Sequence, residues 1–236
     1  MRIGSAPSGS TIDLPVIGTS VFIGHFAIGF ASKRLAPRAS LGVLMAGVLW
    51  LDLLWPLFLL AGWERVEIAP NDTAFAPLRF VSYPISHSLL TTAGWAAGFA
   101  LVYYFLAHDR RGAWVVAGCV ASHWFLDAAT HRPDLPLYPG GPVAGLGLWH
   151  SVTGTILVES ALFLAGVWLY ARATIATNRT GRIAFWALVL FLVAAYAGNA
   201  QGSPPPNPRF LAYFALSLWI FPFWAWWVDR HRRLQS

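Results

Sequence analysis

The sequence predicts an all-α fold: a polytopic transmembrane bundle of about seven helices, with the N-terminus outside and the C-terminus cytoplasmic. Three observations predict it. The 236 residues are 57% hydrophobic and only 11% charged, against roughly 25% charged in a soluble domain. Seven apolar segments approach the ~20 residues needed to cross a bilayer. Lysines and arginines cluster in alternate loops, the asymmetry that orients membrane chains.

Taken in order, the segments cover about 16–32, 40–62, 85–106, 113–131, 149–171, 183–199 and 209–228. Residues 1–14 read as a short tail rather than a cleavable signal, because no small-residue cleavage site ends the apolar run after them. Breakers separate the segments: Ala36–Pro37, Pro70–Asp72, Arg110–Gly112, the stretch from Arg132 to Pro142, Asn178–Gly181 and Ser203–Pro208. The longer loops, 63–84 and 132–148, are rich in proline and aromatics and are expected to cap the bundle. No internal repeat is evident. Residues 1–236 therefore form a single membrane domain, with a five-helix core over 16–171 and two further helices over 183–228.

Of 16 basic residues, 11 fall in one set of loops, among them Lys33, Arg110, Arg111, Arg179 and Arg230. The opposite set holds Arg2, Arg65, Arg79, Arg132 and Arg209. Positive loops stay in the cytoplasm. Trp219, Trp224, Trp226 and Trp227 ahead of Asp229–Arg233 fit an aromatic belt on that side. The net charge of +6 then belongs to orientation and anionic lipid rather than to nucleic acid. The single cysteine, Cys119, excludes an intrachain disulfide and a multi-cysteine zinc site.

Polar residues interrupt the first five segments: His25, Asp52, His87, His123, Asp127, His131, His150 and Glu159. A charge at mid-membrane costs ~3 kcal/mol on insertion scales, so such a set calls for a common purpose. His25, Asp52 and Glu159 each lie about ten residues from the outer helix end, ~15 Å deep at 1.5 Å per residue. His123, Asp127 and His131 follow one another at intervals of four and share one helix face. Imidazole and carboxylate one turn apart suit a divalent metal, zinc above all, with manganese or iron as further fits. No lysine or arginine lies at matching depth, so a proton or a cation must balance the acids. A lone intramembrane histidine such as His25 also serves as a helix–helix hydrogen bonder. His131 and His150, at helix ends, also read as interfacial residues. His108 and His231 read as solvated on the cytoplasmic side.

The order Gly24-His25, Asp52-Leu-Leu-Trp-Pro56, Ser86-His87-Ser88-Leu89 and Ser122-His123-Trp-Phe-Leu-Asp127 resembles the YdjM-type family of inner-membrane metal-dependent hydrolases. That family looks distantly related to zinc-dependent phospholipase C and the single-strand-specific nucleases. The resemblance covers roughly residues 20–160. It implies His25, Asp52, His87, His123 and Asp127 as metal ligands and a bacterial inner-membrane location. Two departures imply a site reduced to one metal: Leu51-Asp52-Leu53-Leu54-Trp55 replaces Pro-Asp-x-Asp-His, and Ser82-Tyr83-Pro84 replaces His-Arg-Gly. Ser82–Ser88 and His131–Pro136 also resemble runs shared by a set of bacterial membrane proteins, a likeness that carries no activity with it.

These readings give a membrane-embedded hydrolase of a phosphoester or lipid, with Glu159 or His131 as general base. The alternatives are a proton or metal-ion transporter, a haem carrier, and a non-catalytic subunit of a membrane complex.

Overall fold

A computed structural model describes residues 23–235, which are mostly helical, and helix makes up 67% of the structure. The expected start of the first segment at residue 16, like the tail and Arg2, lies outside the described residues. Helix α1 (Ile23–Ser32) leads through a basic turn to α2 (Leu41–Val48), whose first turn is capped by the Ser40 hydroxyl accepting from Val43 N at 3.2 Å. Helix α3 (Trp50–Leu60) follows directly, bent by 54° from α2 at Leu49. Strands β1 (Arg65–Ile68) and β2 (Leu78–Ser82) pair antiparallel. A single turn, α4 (Pro84–His87), precedes α5 (Leu89–Ala107), and Ser88 between them caps α5 by accepting from Thr91 N.

Helix α6 (Arg110–Thr130) starts at Asp109, whose carboxylate accepts from Gly112 N at 3.1 Å. Strands β3 (Leu135–Pro136) and β4 (Val143–Ala144) form a second hairpin. Then come α7 (Val152–Ala173), β5 (Thr174–Ala176) and α8 (Arg179–Gln201). Helix α9 (Pro208–Ala215) runs through a short tight turn into α10 (Ile220–Arg230), and β6 (Arg232–Leu234) returns to pair with β5.

Among the described residues four stretches are long and apolar enough to cross a membrane: α5, α7, α8 up to Ala200, and α9 with α10. The bent α2–α3 pair would make a fifth. Helix α6 has the length but carries Arg110, Arg111, His123 and Asp127, which lower its apolarity. Helix α1 has only 10 described residues. The fold departs from an all-helical expectation at the loops. Both long loops carry hairpins, in which backbone groups that no helix supplies with partners pair across two strands; residues alternate between buried and exposed in the first of them.

Helix α1 is the central rod. It packs on α2, α6 and α7, and a side chain at Gly166 would run into the Ala27 backbone. Phe30 meets Phe163, Tyr170 and Phe185 edge-on or tilted, with ring centroids 5.4–6.2 Å apart. The 63–83 and 131–151 loops meet at one end of the bundle. Phe75 N donates to Trp149 O at 3.0 Å, and Arg132 reaches Asp72 at 3.1 Å. At the other end Lys33 is buried, 2.8 Å from Asp229. A residue expected to mark a basic loop is thus spent on an internal ion pair.

Candidate metal centre

The bend at Leu49 makes the site. In an unbroken helix the Val48 carbonyl would accept from residue 52. Here it accepts instead from His123 Nδ1 on α6, at 2.7 Å. Gly47 allows the approach, since a side chain there would begin 3.1 Å from Cys119 Cβ. The bend also puts Asp52 in the first turn of α3, where the helix dipole favours a carboxylate.

His87 is held from the other side. Its Nδ1 lies 2.7 Å from Ser86 Oγ, and Ser86 Oγ donates to Glu64 Oε2 at 2.6 Å. The other Glu64 oxygen accepts from Ile85 N and Ser86 N, both at 2.8 Å. A serine hydroxyl that gives its hydrogen to a carboxylate has only lone pairs left for the imidazole. His87 Nδ1 must therefore carry a hydrogen, and so must His123 Nδ1 facing a carbonyl. In neutral rings both Nε2 atoms then turn a lone pair inward.

What they face is carboxylate. His87 Nε2 is 3.5 Å from Asp52 Oδ1 and 3.7 Å from Asp127 Oδ2. His123 Nε2 is 3.7 Å from Asp52 Oδ1 and 3.3 Å from Asp127 Oδ2. His25 Nε2 is 3.2 Å from the other oxygen, Asp127 Oδ1. The five expected ligands thus come together from α1, α3, α4 and α6. Two overlapping triads result, His25–His123–Asp127 and Asp52–His87–His123, each with its donor atoms within 4.8 Å of one another. Asp52 is 20% exposed, whereas the other four side chains are at most 4% exposed, so the centre is most open at Asp52.

The donor set fits a divalent cation. Bonds of ~2.0–2.2 Å in a tetrahedral site put ligand atoms ~3.3–3.6 Å apart, which matches the 3.2–3.7 Å observed. Charge-assisted hydrogen bonds would draw such pairs to ~2.7–2.9 Å. Lone pairs turned toward carboxylates repel unless a cation or a proton lies between them. Among the described residues the ion-pair partners of Asp52 and Asp127 are all histidines, with no lysine or arginine. Because His123 has one inward lone pair and both triads need it, the triads are alternative seats for one ion.

Glu159 and His131 stand apart from the donor set. Glu159 on α7 is buried, and its Oε2 accepts weakly from Gly24 N at 3.4 Å, next to His25. Its Oε1 has no hydrogen-bond partner among the described residues, and neither has the buried hydroxyl of Tyr196 on α8. His131 lies in the cap, packed on Phe80 and Trp149, with Nδ1 3.1 Å from Asp134 Oδ1 and 3.3 Å from Tyr83 Oη. It is buried, not interfacial, whereas His150 is exposed. Burial works against the Asp134 carboxylate, but the hydrogen bond and charge of His131, with Arg132 and Tyr83, hold its pKa below the ordinary value. Burial, reinforced by Asp134 and Asp127, pushes the Tyr83 phenol well above its usual range.

Glu64, Ser86 and the Val48 carbonyl escaped the sequence reading. The Ser-His-Ser run signals the serine, since a hydroxyl beside a ligand-type histidine is a ready acceptor. Glu64 gives no such signal, because it lies 22 residues from Ser86 in a loop. No family model, curated protein or solved structure matches this chain.

Proposed function

We propose that this chain is a multi-pass protein of the bacterial inner membrane whose buried centre binds one divalent metal ion and hydrolyses a phosphoester, of which a lipid is the preferred kind. The carrying observation is the pair of inward-facing imidazole nitrogens, each fixed by an acceptor on its far side, opposite two carboxylates. The topology that goes with it has about seven spans, N-terminus outside and C-terminus cytoplasmic, as the basic loops dictate. The resemblance of four ordered motifs to those of YdjM-type hydrolases supports the same reading, and the single ion agrees with the motif residues this chain lacks.

Asp52, His87, His123 and Asp127 are the ligands, with zinc the best match to the imidazole–carboxylate set. His25, on the far oxygen of Asp127, fixes that carboxylate or joins the second seat. A divalent ion held there would lower the pKa of water and polarise a phosphoryl oxygen. Asp52 marks the side from which substrate enters. Glu159 is the better general base, because its Oε1 is uncommitted, whereas His131 Nδ1 is held by Asp134 and Tyr83. His131 then keeps Tyr83 against His87, whose rings lie 5.4 Å apart. With zinc or manganese added, the purified protein is expected to cleave a phospholipid or a chromogenic phosphodiester, and Glu159→Gln to lower turnover ~100-fold or more. Metal-loaded protein without turnover on any phosphoester would refute hydrolysis.

The broken α2–α3 pair and the two seats sharing His123 favour a second reading, movement of the ion itself. Zinc or proton flux in proteoliposomes, abolished by Asp127→Asn, would establish it.

A further inference from the structure

A cleft of about 560 Å³ opens at the capped end of the bundle, between the end of α3, strand β1 and the start of α9. Its lining is of two kinds. Leu59, Leu60 and Ala212 give it an apolar wall, and Arg65, Glu67 and Arg209 give it charge. Arg65 and Glu67 are both exposed and alternate with the buried Val66, so they share one face of β1, about 7 Å apart along the strand. Among the described residues neither Arg65 nor Arg209 forms an ion pair, and the Arg209 guanidinium lies 5.9 Å from the centre of the Tyr213 ring, a contact that leaves its N–H groups available. Glu67 is only 3.9 Å from Arg79 at its nearest, while Arg79 makes its tight bond, 2.8 Å, to Asp72. Two exposed cations and one exposed anion are thus presented beside an apolar wall, while the fourth charged lining residue, Glu64, is buried with both oxygens committed to Ile85 and Ser86.

We infer that this cleft binds the zwitterionic headgroup of a phosphoethanolamine lipid: the Arg65 and Arg209 guanidiniums take the phosphate, Glu67 takes the ammonium, and the acyl chains lie along the α3 and α9 wall. Guanidinium is the side chain best matched to phosphate oxygens. An anionic lipid would leave Glu67 facing like charge, and a choline headgroup offers it no N–H donor. The source is membrane lipid rather than a soluble phosphoester because of where the cleft lies. Arg209 is in the first turn of the apolar stretch Pro208–Arg230, at headgroup level. Trp63 beside the cleft is 64% exposed, as an aromatic at the membrane interface is.

This goes beyond the hydrolase reading and does not depend on a metal. It touches the centre at one residue, since Glu64 lines the cleft and also holds Ser86 against His87. The test is native mass spectrometry of the detergent-purified, metal-stripped protein with dioleoyl lipids bearing ethanolamine, choline or glycerol headgroups. The ethanolamine lipid is expected to bind at least tenfold more tightly than the other two. Arg65→Ala with Arg209→Ala is expected to remove that advantage, and Glu67→Arg to reverse it in favour of the glycerol lipid. All three positions are exposed, and an unchanged elution profile and circular dichroism spectrum show that each variant is folded. Equal binding of the three lipids overturns the inference, as does undiminished binding by the double variant. So does a Glu67→Arg protein with the original preference, or displacement of the lipid by an equal concentration of soluble phosphoethanolamine.

Discussion

Glu64 decides which nitrogen of His87 faces the metal seat, although the two are joined only through Ser86. Glutamine at position 64 would put an amide N–H₂ opposite Ser86 Oγ. The serine would then accept from it and donate to His87 Nδ1, moving the imidazole hydrogen to Nε2 and closing that donor. Glu64→Gln is therefore expected to weaken metal binding ~10–100-fold, the usual cost of losing a partner behind a metal-bound histidine, as read by competition with a chromogenic chelator. An affinity equal to wild type would show that the chain Glu64–Ser86–His87 sets nothing. Asp134 makes a second expectation. Its pKa is lowered in the fold, so it stabilises the cap fully above the unfolded value of ~3.9, and that contribution disappears as pH falls through the lowered pKa. Protection from hydrogen exchange at Trp149 and His131, taken relative to the intrinsic rate at each pH, should hold from pH 7 to about 4 and fall below, and Asp134→Asn should remove the dependence. The five ligand candidates were legible at this scale because charged or imidazole side chains in apolar helices stand out. Glu64 was not, because in an exposed-looking loop a glutamate is unremarkable until the fold buries it.

Among the elements, the α2–α3 pair carries most of the design. Hydropathy reads 40–62 as one span, since Leu49 is as apolar as its neighbours, and nothing local announces the 54° bend. The bend shows only in what it releases, the Val48 carbonyl, and in the close passage of Gly47 against α6. Gly47→Leu would drive a side chain into Cys119 and Val116. It is expected to destabilise the protein by ~1–3 kcal/mol and to weaken metal binding as His123 loses its acceptor, both measurable on one preparation by thermal unfolding with and without zinc. A loss of stability with unchanged metal affinity would separate the bend from the site. The hairpins at 65–82 and 135–144 were equally hidden. Their expected role as caps came from proline and aromatic content, whereas their pairing rests on long-range register that composition does not encode.

At the level of the whole molecule, the two ends differ in charge and in structure. One end gathers the hairpin caps around Arg79, Arg132 and Asp72, and the other gathers Lys33, Asp229 and the β5–β6 pair. The four long apolar stretches and their approximate limits were legible because spanning length is a one-dimensional property of sequence. Which helices sit beside α1 was not, since small residues such as Gly166 speak only once a partner backbone arrives. The proposed sidedness is testable because Cys119 is buried and leaves a quiet background. Single cysteines at Gly140 and at Asn178 are expected to react with a membrane-impermeant maleimide from opposite faces, Gly140 from outside intact cells and Asn178 only after lysis. The reverse pattern would invert the topology and place the centre near the cytoplasmic leaflet.

The measurement that bears most directly on the centre is the metal content of protein purified without chelator, by inductively coupled plasma mass spectrometry, for wild type and His123→Ala. His123 belongs to both triads, so its loss should empty either seat. About one zinc, manganese or iron per wild-type chain, with His123→Ala folded and nearly free of it, is the expected result. A wild-type chain that neither carries nor takes up a divalent ion, or a His123→Ala chain that retains it in full, would contradict a metal centre at these residues.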